Sequence, residues 1–285
     1  MAQYALGIEG TTYAVDAEKG EKYWCIECGA PVKIRVGKYL PYFYHPSASP
    51  QCHLYSKSED HLLLQLQLQK FLPQGELEIE TSFLKINRIA DLSWARQKIV
   101  FEIQCSPLEL GEAQSRILNY REIGYDVIWL LDDRIFNRRF IRPAEAWIRK
   151  RGAYYVKFRR DQAFSLYYDQ FDIAIGSKRL KKSPPLKLDL SSPRKAPING
   201  WPSKLPSCIK MRIPESRRYF RGDLLDRTIR SSHSPHYAFP ITRWRFLEKE
   251  ALRNHSFSFK KLFYNYIGRP YERLLLFLIK KIDTP

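Results

Sequence analysis

Polar residues set singly among apolar ones organise the middle of the chain. In Ile99–Cys105 apolar residues alternate with Glu102 and Gln104, so those two share one face of an extended strand. In Ile86–Trp94, Ile89 and Leu92 suit a neighbouring strand that carries Asp91, and the polar turn Ala95–Lys98 joins the pair. Upstream, Lys57–Leu72 has the pattern of a helix: Ser58 can cap it, Glu59 and Asp60 suit the positive end of its dipole, and Pro73 stops it. Leu62, Leu63, Leu66, Phe71 and Leu72 supply its apolar stripe. Further strands are expected at Leu77–Phe83, Tyr125–Leu131, Tyr154–Arg159 and Phe164–Tyr168, with helices near Leu110–Ile123 and Ala144–Lys150. The order helix, three strands, helix, strand predicts an α/β unit with a mixed sheet flanked by helices.

The N-terminal part reads as short strands, Tyr4–Ile8, Tyr13–Asp16 and Tyr23–Trp24, followed by Cys25-x-x-Cys28-Gly29. A hairpin from Pro31–Arg35 to Tyr39–Tyr44, turning near Gly37, returns His45 to this knuckle, and Cys52 and His53 follow. Cys25, Cys28, His45 and Cys52 make a four-coordinate nitrogen and sulfur set suited to a structural Zn²⁺, with His53 an alternative fourth ligand. A redox C-x-x-C normally opens a helix beside a strand, whereas here a hairpin follows. Clustering of three of the five cysteines with histidines suits metal binding in a reducing compartment.

Composition adds a core and a charge asymmetry. The hydrophobic fraction of 44% and aromatic fraction of 14% are enough for a packed interior. The net charge of +18 is concentrated at one end: residues 1–176 carry +1 and residues 177–285 carry +17. A region of that charge attracts polyanions, nucleic acid first. Ser177–Pro206, with six prolines and the run KRLKK, reads as a linker or loosely ordered arm. Beyond it, helices are expected at Gly222–Ile229, Arg243–Asn254, Phe259–Tyr266 and Tyr271–Ile282, where basic residues interleave with aromatics as backbone contact plus base stacking would require. His233-x-x-His236 lacks cysteine or acidic partners nearby and reads as loop. The organisation expected is an N-terminal β domain over 1–55, an α/β domain over 56–176, a linker over 177–206 and a basic helical domain over 207–285. No signal peptide and no membrane span are expected, which places the chain in the cytoplasm.

A carboxylate on each of two adjacent strands suits a hard divalent cation, although an acidic residue on a strand face is commonly just solvated. The surrounding motifs sharpen this. The series C-x-x-C, YFYH, cysteine, SEDH on a helix, RIAD, FEIQCS, R-x3-Y and VIWLL resembles the CoiA-like competence proteins over about residues 20–135. The resemblance implies a restriction-endonuclease-like core of the PD-(D/E)xK type, preceded by a zinc-knuckle-like region. It matches Asp91 to the metal-binding aspartate, Glu102 to the second carboxylate and Gln104 to the position where the motif's lysine usually stands. Glu59 or His61 matches the acidic or polar position on the first helix. Gln65 occupies a place where a lysine is expected. The activity implied is Mg²⁺- or Mn²⁺-dependent DNA hydrolysis during uptake and recombination. Asp91, Glu102 and a carbonyl near Ile103 would hold the ion, Gln104 would orient water, and Arg88, Arg116 and Tyr120 would contact substrate. Implied partners are DNA, as a single or processed incoming strand, and a RecA-type recombinase with other recombination mediators. The alternative is a catalytically silent DNA-binding mediator on a nuclease scaffold.

Overall fold

The computed structural model describes residues 1–271 apart from 51, 74, 161, 163, 197–200, 202–204, 214, 216 and 234–240. Residues 272–282 of the expected helix at Tyr271–Ile282, and residue His236, lie outside the described residues. The N-terminal unit is a five-stranded antiparallel sheet of β1 (Tyr4–Gly7), β2 (Gly10–Tyr13), β3 (Tyr23–Trp24), β4 (Pro31–Val36) and β5 (Pro41–Tyr44), in the order β2-β1-β3-β4-β5. Gly37 makes the β4–β5 turn, and a side chain there would meet the Glu59 carboxylate at 2.5 Å and the Leu40 carbonyl at 2.9 Å.

A short 3-10 turn, His53–Ser56, leads into α1 (Glu59–Phe71). Ser58 caps α1 by accepting from the His61 amide at 3.3 Å. The buried stripe of α1 differs from the expected one: Leu64, Leu68 and Leu72 face the central sheet, while Leu62 packs on Leu40 and Tyr42 of the N-terminal sheet. Leu63 and Leu66 are only partly buried. Besides His61, two buried positions of α1 are polar, Gln65 and Gln67. Their amides bond to the Asp91 carbonyl and to the Arg159 and Gln162 carbonyls, which is what admits them to a helix face inside the protein.

The strands and helices that follow are β6 (Leu77–Phe83), β7 (Arg88–Trp94), β8 (Ile99–Gln104), α2 (Leu110–Glu122), β9 (Asp126–Asp132), α3 (Pro143–Ile148), β10 (Ala153–Lys157), β11 (Leu166–Asp169), β12 (Asp172–Ile175), β13 (Lys178–Lys182) and β14 (Leu186–Lys187). Seven of these strands form a mixed sheet in the order β14-β11-β10-β9-β8-β7-β6. β8, β9 and β10 run parallel, and the outer pairings are antiparallel. α1 covers one face, where Leu64, Leu68, Phe101, Ile103 and Tyr154 join one core. α2 and α3 cover the other, with Val100, Ile117, Tyr120, Trp129 and Ile148.

The stretch Ser177–Pro206, expected as a linker, instead supplies β13, β14 and β15 (Asp189–Lys195). Its prolines are local signals, and they yield to burial of Leu188 and Leu190 in the α1-side core. Arg179 of the KRLKK run is itself buried, paired with Asp172 at 2.6 Å and Glu145 at 3.0 Å. The chain continues through α4 (Ser207–Arg212), β16 (Arg218–Arg221), α5 (Leu224–His233) and α6 (Ile241–Phe263). β15 and β16 pair, and Phe220 enters the α1-side core beside Phe101 and Tyr154. Buried polar bonds fasten this joint: Arg212 pairs with Asp169 at 2.6 Å, and Tyr154 donates to Asp223 at 2.7 Å.

Asp223 also accepts from the Phe220 and Asp226 amides, the latter in the first turn of α5. Burial, with the Asp169 charge second, pushes its carboxyl up to about 6. The folded protein therefore binds a proton that the unfolded chain has already released. The stabilisation from this group is complete below about pH 4 and is lost as pH rises through about 6. The difference in unfolding free energy between wild type and Asp223→Asn is expected to fall by about 1–3 kcal/mol between pH 4 and 7. Denaturant unfolding of both proteins across that range checks this, and a difference that does not change with pH contradicts it.

Candidate functional site

The register of the central sheet lines up three carboxylates across adjacent strands. Pairing of Ile79 with Leu92 and of Thr81 with Ala90 sets Glu80 opposite Asp91. The pairing of Leu92 with Phe101, continued by one step, sets Glu102 on the other side of Asp91. Glu80, Asp91 and Glu102 are 4%, 4% and 2% exposed. Three like charges in a dry row repel one another, so each needs its own compensation.

Asp91 receives most of it from the start of α1. Its Oδ1 lies 2.8 Å from Lys57 Nζ and 2.9 Å from His61 Nε2, and its Oδ2 accepts from the Ile103 amide at 2.7 Å. That amide bond occupies the point where the β7–β8 ladder ends. Burial alone would push the Asp91 carboxyl up, but the charges of His61 and Lys57 overcome it and hold the group well below the usual carboxylate range. Lys57 also lies 3.3 Å from Glu80. Burial opposes its charge, and Asp91 and Glu80 hold the ammonium above its ordinary pKa, so it is a permanent cation. Glu80 has φ of 52°, a left-handed backbone inside a strand, and its other oxygen accepts from the Gln3 and Tyr4 amides of the N-terminal sheet.

Glu102 is compensated from the opposite layer. Arg116 Nη1 lies 2.7 Å from its Oε2, and the Tyr120 hydroxyl donates to its Oε1 at 2.9 Å. Burial pushes the Glu102 carboxyl up, Arg116 counters that, and the Asp91 charge adds to it. Gln104 donates to the Ser106 carbonyl at 2.9 Å, which fixes its amide. Asp91, Glu102, Gln104, Lys57, His61 and Arg116 all line one pocket of about 370 Å³.

The structure thus brings together most of the expected site residues, with two changes of role. Glu59 does not line the pocket, whereas His61 does: the Glu59 carboxylate accepts from the Tyr39 amide at 2.9 Å and holds the β4–β5 turn. Arg88 and Arg116 line the pocket but are engaged, Arg88 by Glu112 and Ser115, and Arg116 by Glu102 and Glu112. A lysine that the sequence patterns did not single out, Lys57, places its ammonium on Asp91 beside Gln65. Its signal was the spacing Lys57, His61, Gln65, four residues apart, with all three side chains reaching Asp91.

The N-terminal cluster is as expected. The ligating atoms of Cys25, Cys28, His45 and Cys52 lie within 4.8 Å of one another. Cys25 and Cys52 sulfurs are 3.6 Å apart, and Cys28 sulfur is 3.3 Å from His45 Nε2. Zn–S bonds of about 2.3 Å in a tetrahedron require sulfurs roughly 3.8 Å apart, so this donor set fits zinc. The Glu27 amide faces the Cys25 sulfur at 3.4 Å and Gly29 has φ of 68°, as a metal knuckle needs. The side chain of His53 lies outside the described residues. Among the described residues this is the one group of three or more His, Cys, Asp or Glu side chains gathered tightly enough for an ion. Zinc in this cluster is expected at one ion per chain by elemental analysis, absent from Cys28→Ser and Cys52→Ser. Both variants should unfold at lower denaturant concentration. A zinc-free wild type as stable as the protein grown with zinc contradicts the assignment.

Residues 57–172 match a family model described as competence protein CoiA, nuclease-like domain. No curated protein and no solved structure matches the chain. Among the described residues, no helix is long and apolar enough to cross a membrane. The match spans the whole carboxylate row and its partners on α1 and α2. Over residues 57–172, the segment that carries the site, the chain is similar to the nuclease-like domain of the CoiA competence proteins.

Proposed function

We propose that the pocket hydrolyses DNA phosphodiesters with a divalent metal ion, in the competence-related processing of incoming DNA that the family description suggests. One observation carries the reading: Asp91 and Glu102, buried carboxylates on adjacent strands, open into the same pocket as Lys57, His61 and Gln104. The donor set is all oxygen, which suits Mg²⁺ or Mn²⁺ over softer ions. Asp91, Glu102 and the Ile103 carbonyl would hold the ion, which supplies counter-charge to the phosphate and a bound water of lowered pKa. Lys57 already carries its proton at neutral pH and so is no general base; it offsets the charge of Asp91 and Glu80 and remains a cation beside the reacting phosphate. Gln104, its nitrogen fixed on Ser106, presents its amide oxygen to orient water, the part a motif lysine would otherwise share. The core arrangement, two carboxylates where β7 and β8 part with α1 beside them, supports a PD-(D/E)xK-type relationship.

A second reading, a silent DNA-binding mediator on the same scaffold, is favoured by one feature. Each carboxylate already has a protein cation, Asp91 Lys57 and Glu102 Arg116, so the row is neutralised with protein groups alone. Incubation with labelled single- and double-stranded DNA and Mg²⁺ or Mn²⁺ separates the two. Wild type is expected to cleave, and Asp91→Ala and Glu102→Ala to lose activity by about 100-fold or more. Lys57→Met should lose a comparable amount, and Lys57→Arg should retain part of it. A folded wild type that binds DNA and leaves it intact with both metals overturns the nuclease reading in favour of the mediator.

A further inference from the structure

Beside the pocket, two guanidinium groups converge on a single carboxylate oxygen. Arg134, just past the end of β9, and Arg160, just past the end of β10, place their Nη2 atoms 2.9 and 2.6 Å from Asp60 Oδ2. Asp60 immediately precedes His61, which bonds Asp91. Arg134 is held from behind by Asp132, 1% exposed, which accepts from its Nε and Nη2, and its guanidinium lies 5.1 Å from the Phe158 ring. Both arginine side chains nevertheless keep nearly half their surface in solvent, 45% and 46%. Asp60 and Asp132 together balance these two guanidiniums, and the exposed Arg138, Arg139, Lys157 and Arg159, close to them in the chain, make this rim net positive. This edge is formed by the carboxyl ends of parallel strands, the end at which Gln104 also stands.

We propose that Arg134 and Arg160 are a phosphate clasp that leads a single polynucleotide strand into the pocket. The proposal rests on the nuclease reading of that pocket. A strand is indicated because Asp91 and Glu102 are almost wholly buried, so a phosphodiester must descend to them, which a stiff duplex cannot do without opening. Successive phosphates along one backbone match a row of guanidinium forks, and exposed Phe140 and Phe164 lie in the adjoining loops for stacking. Arg88 and Arg116, deeper in the pocket, are engaged by Glu112 and Glu102 and leave this task to the rim.

The test is binding of a labelled single-stranded oligonucleotide to the full chain without added Mg²⁺, titrated over a series of salt concentrations. The plot of log affinity against log salt is expected to lose about one unit of slope in Arg160→Gln, with weaker binding at low salt. Arg134→Gln combined with Asp132→Asn, so that no buried carboxylate is stranded, should lose a similar amount, and Arg134→Lys should keep the wild-type slope. Arg160 lies on the surface, so its variant reports even where the double variant does not fold. An unchanged slope in Arg160→Gln overturns the clasp, and wild-type cleavage in the metal assay would leave the nuclease reading standing beside that result. Competition by polyglutamate as strong as by unlabelled oligonucleotide also overturns it, in favour of a general polyanion surface.

Discussion

Two hydrogen-bond-length contacts to one oxygen, Lys57 Nζ and His61 Nε2 on Asp91 Oδ1, hold the rest of the arrangement in place. A buried row of Glu80, Asp91 and Glu102 would force its strands apart or take up protons if it stood alone. Lys57 stands between Asp91 and Glu80, and Arg116 takes Glu102 from the other layer. The helix that begins two residues after Lys57 must therefore start at this point of the sheet. The N-terminal sheet must dock there too: Glu80 accepts two of its amides, and the Met1 amino group donates to the Leu54 and Lys57 carbonyls. Cys52, in the metal-ligand cluster, lies five residues before Lys57, with the 3-10 turn between. The candidate zinc cluster and the candidate active site are thus two ends of one short structural link.

Much of this was legible in the sequence because short-range rules suffice for it. Strand β8 could be read from its alternation, and α1 from Ser58, its acidic first turn and Pro73. The cysteine and histidine spacing identified a ligand set that the fold does gather. Other parts depended on contacts far apart in the chain. Lys57 stands outside the helix, and only a long side chain reaching across to β7 gives it a role. Glu80 reads as one more polar residue in LEIETSF, and its left-handed backbone is what turns it inward. Glu59 and His61 are two residues apart, so on a helix they point differently; the N-terminal hairpin takes the first and the sheet the second. The proline-rich stretch after residue 177 looked like a linker because its prolines and lysines are conspicuous. The burial that fixes it comes from the few leucines between them and from Arg179, whose partners lie on other elements.

A site in which every acid has a protein partner has consequences for the chemistry proposed. On the proposed reading, a divalent ion held by Asp91 and Glu102 would take over part of the neutralisation supplied by Lys57 and Arg116. Those two cations would then be available to a substrate phosphate, so one set of charges would serve the resting protein and the loaded complex in turn. The compensated row and the exposed arginines at the rim would divide the work: cations buried in ion pairs for the reacting group, cations at the surface for the strand.

The most direct measurement is anomalous scattering from crystals of the full chain soaked in Mn²⁺. A peak bonded by both the Asp91 and Glu102 carboxylates is expected, with Lys57 Nζ displaced from Asp91 Oδ1. Crystals that show Mn²⁺ elsewhere or not at all, with Lys57 and Arg116 still seated on the two carboxylates, would contradict it.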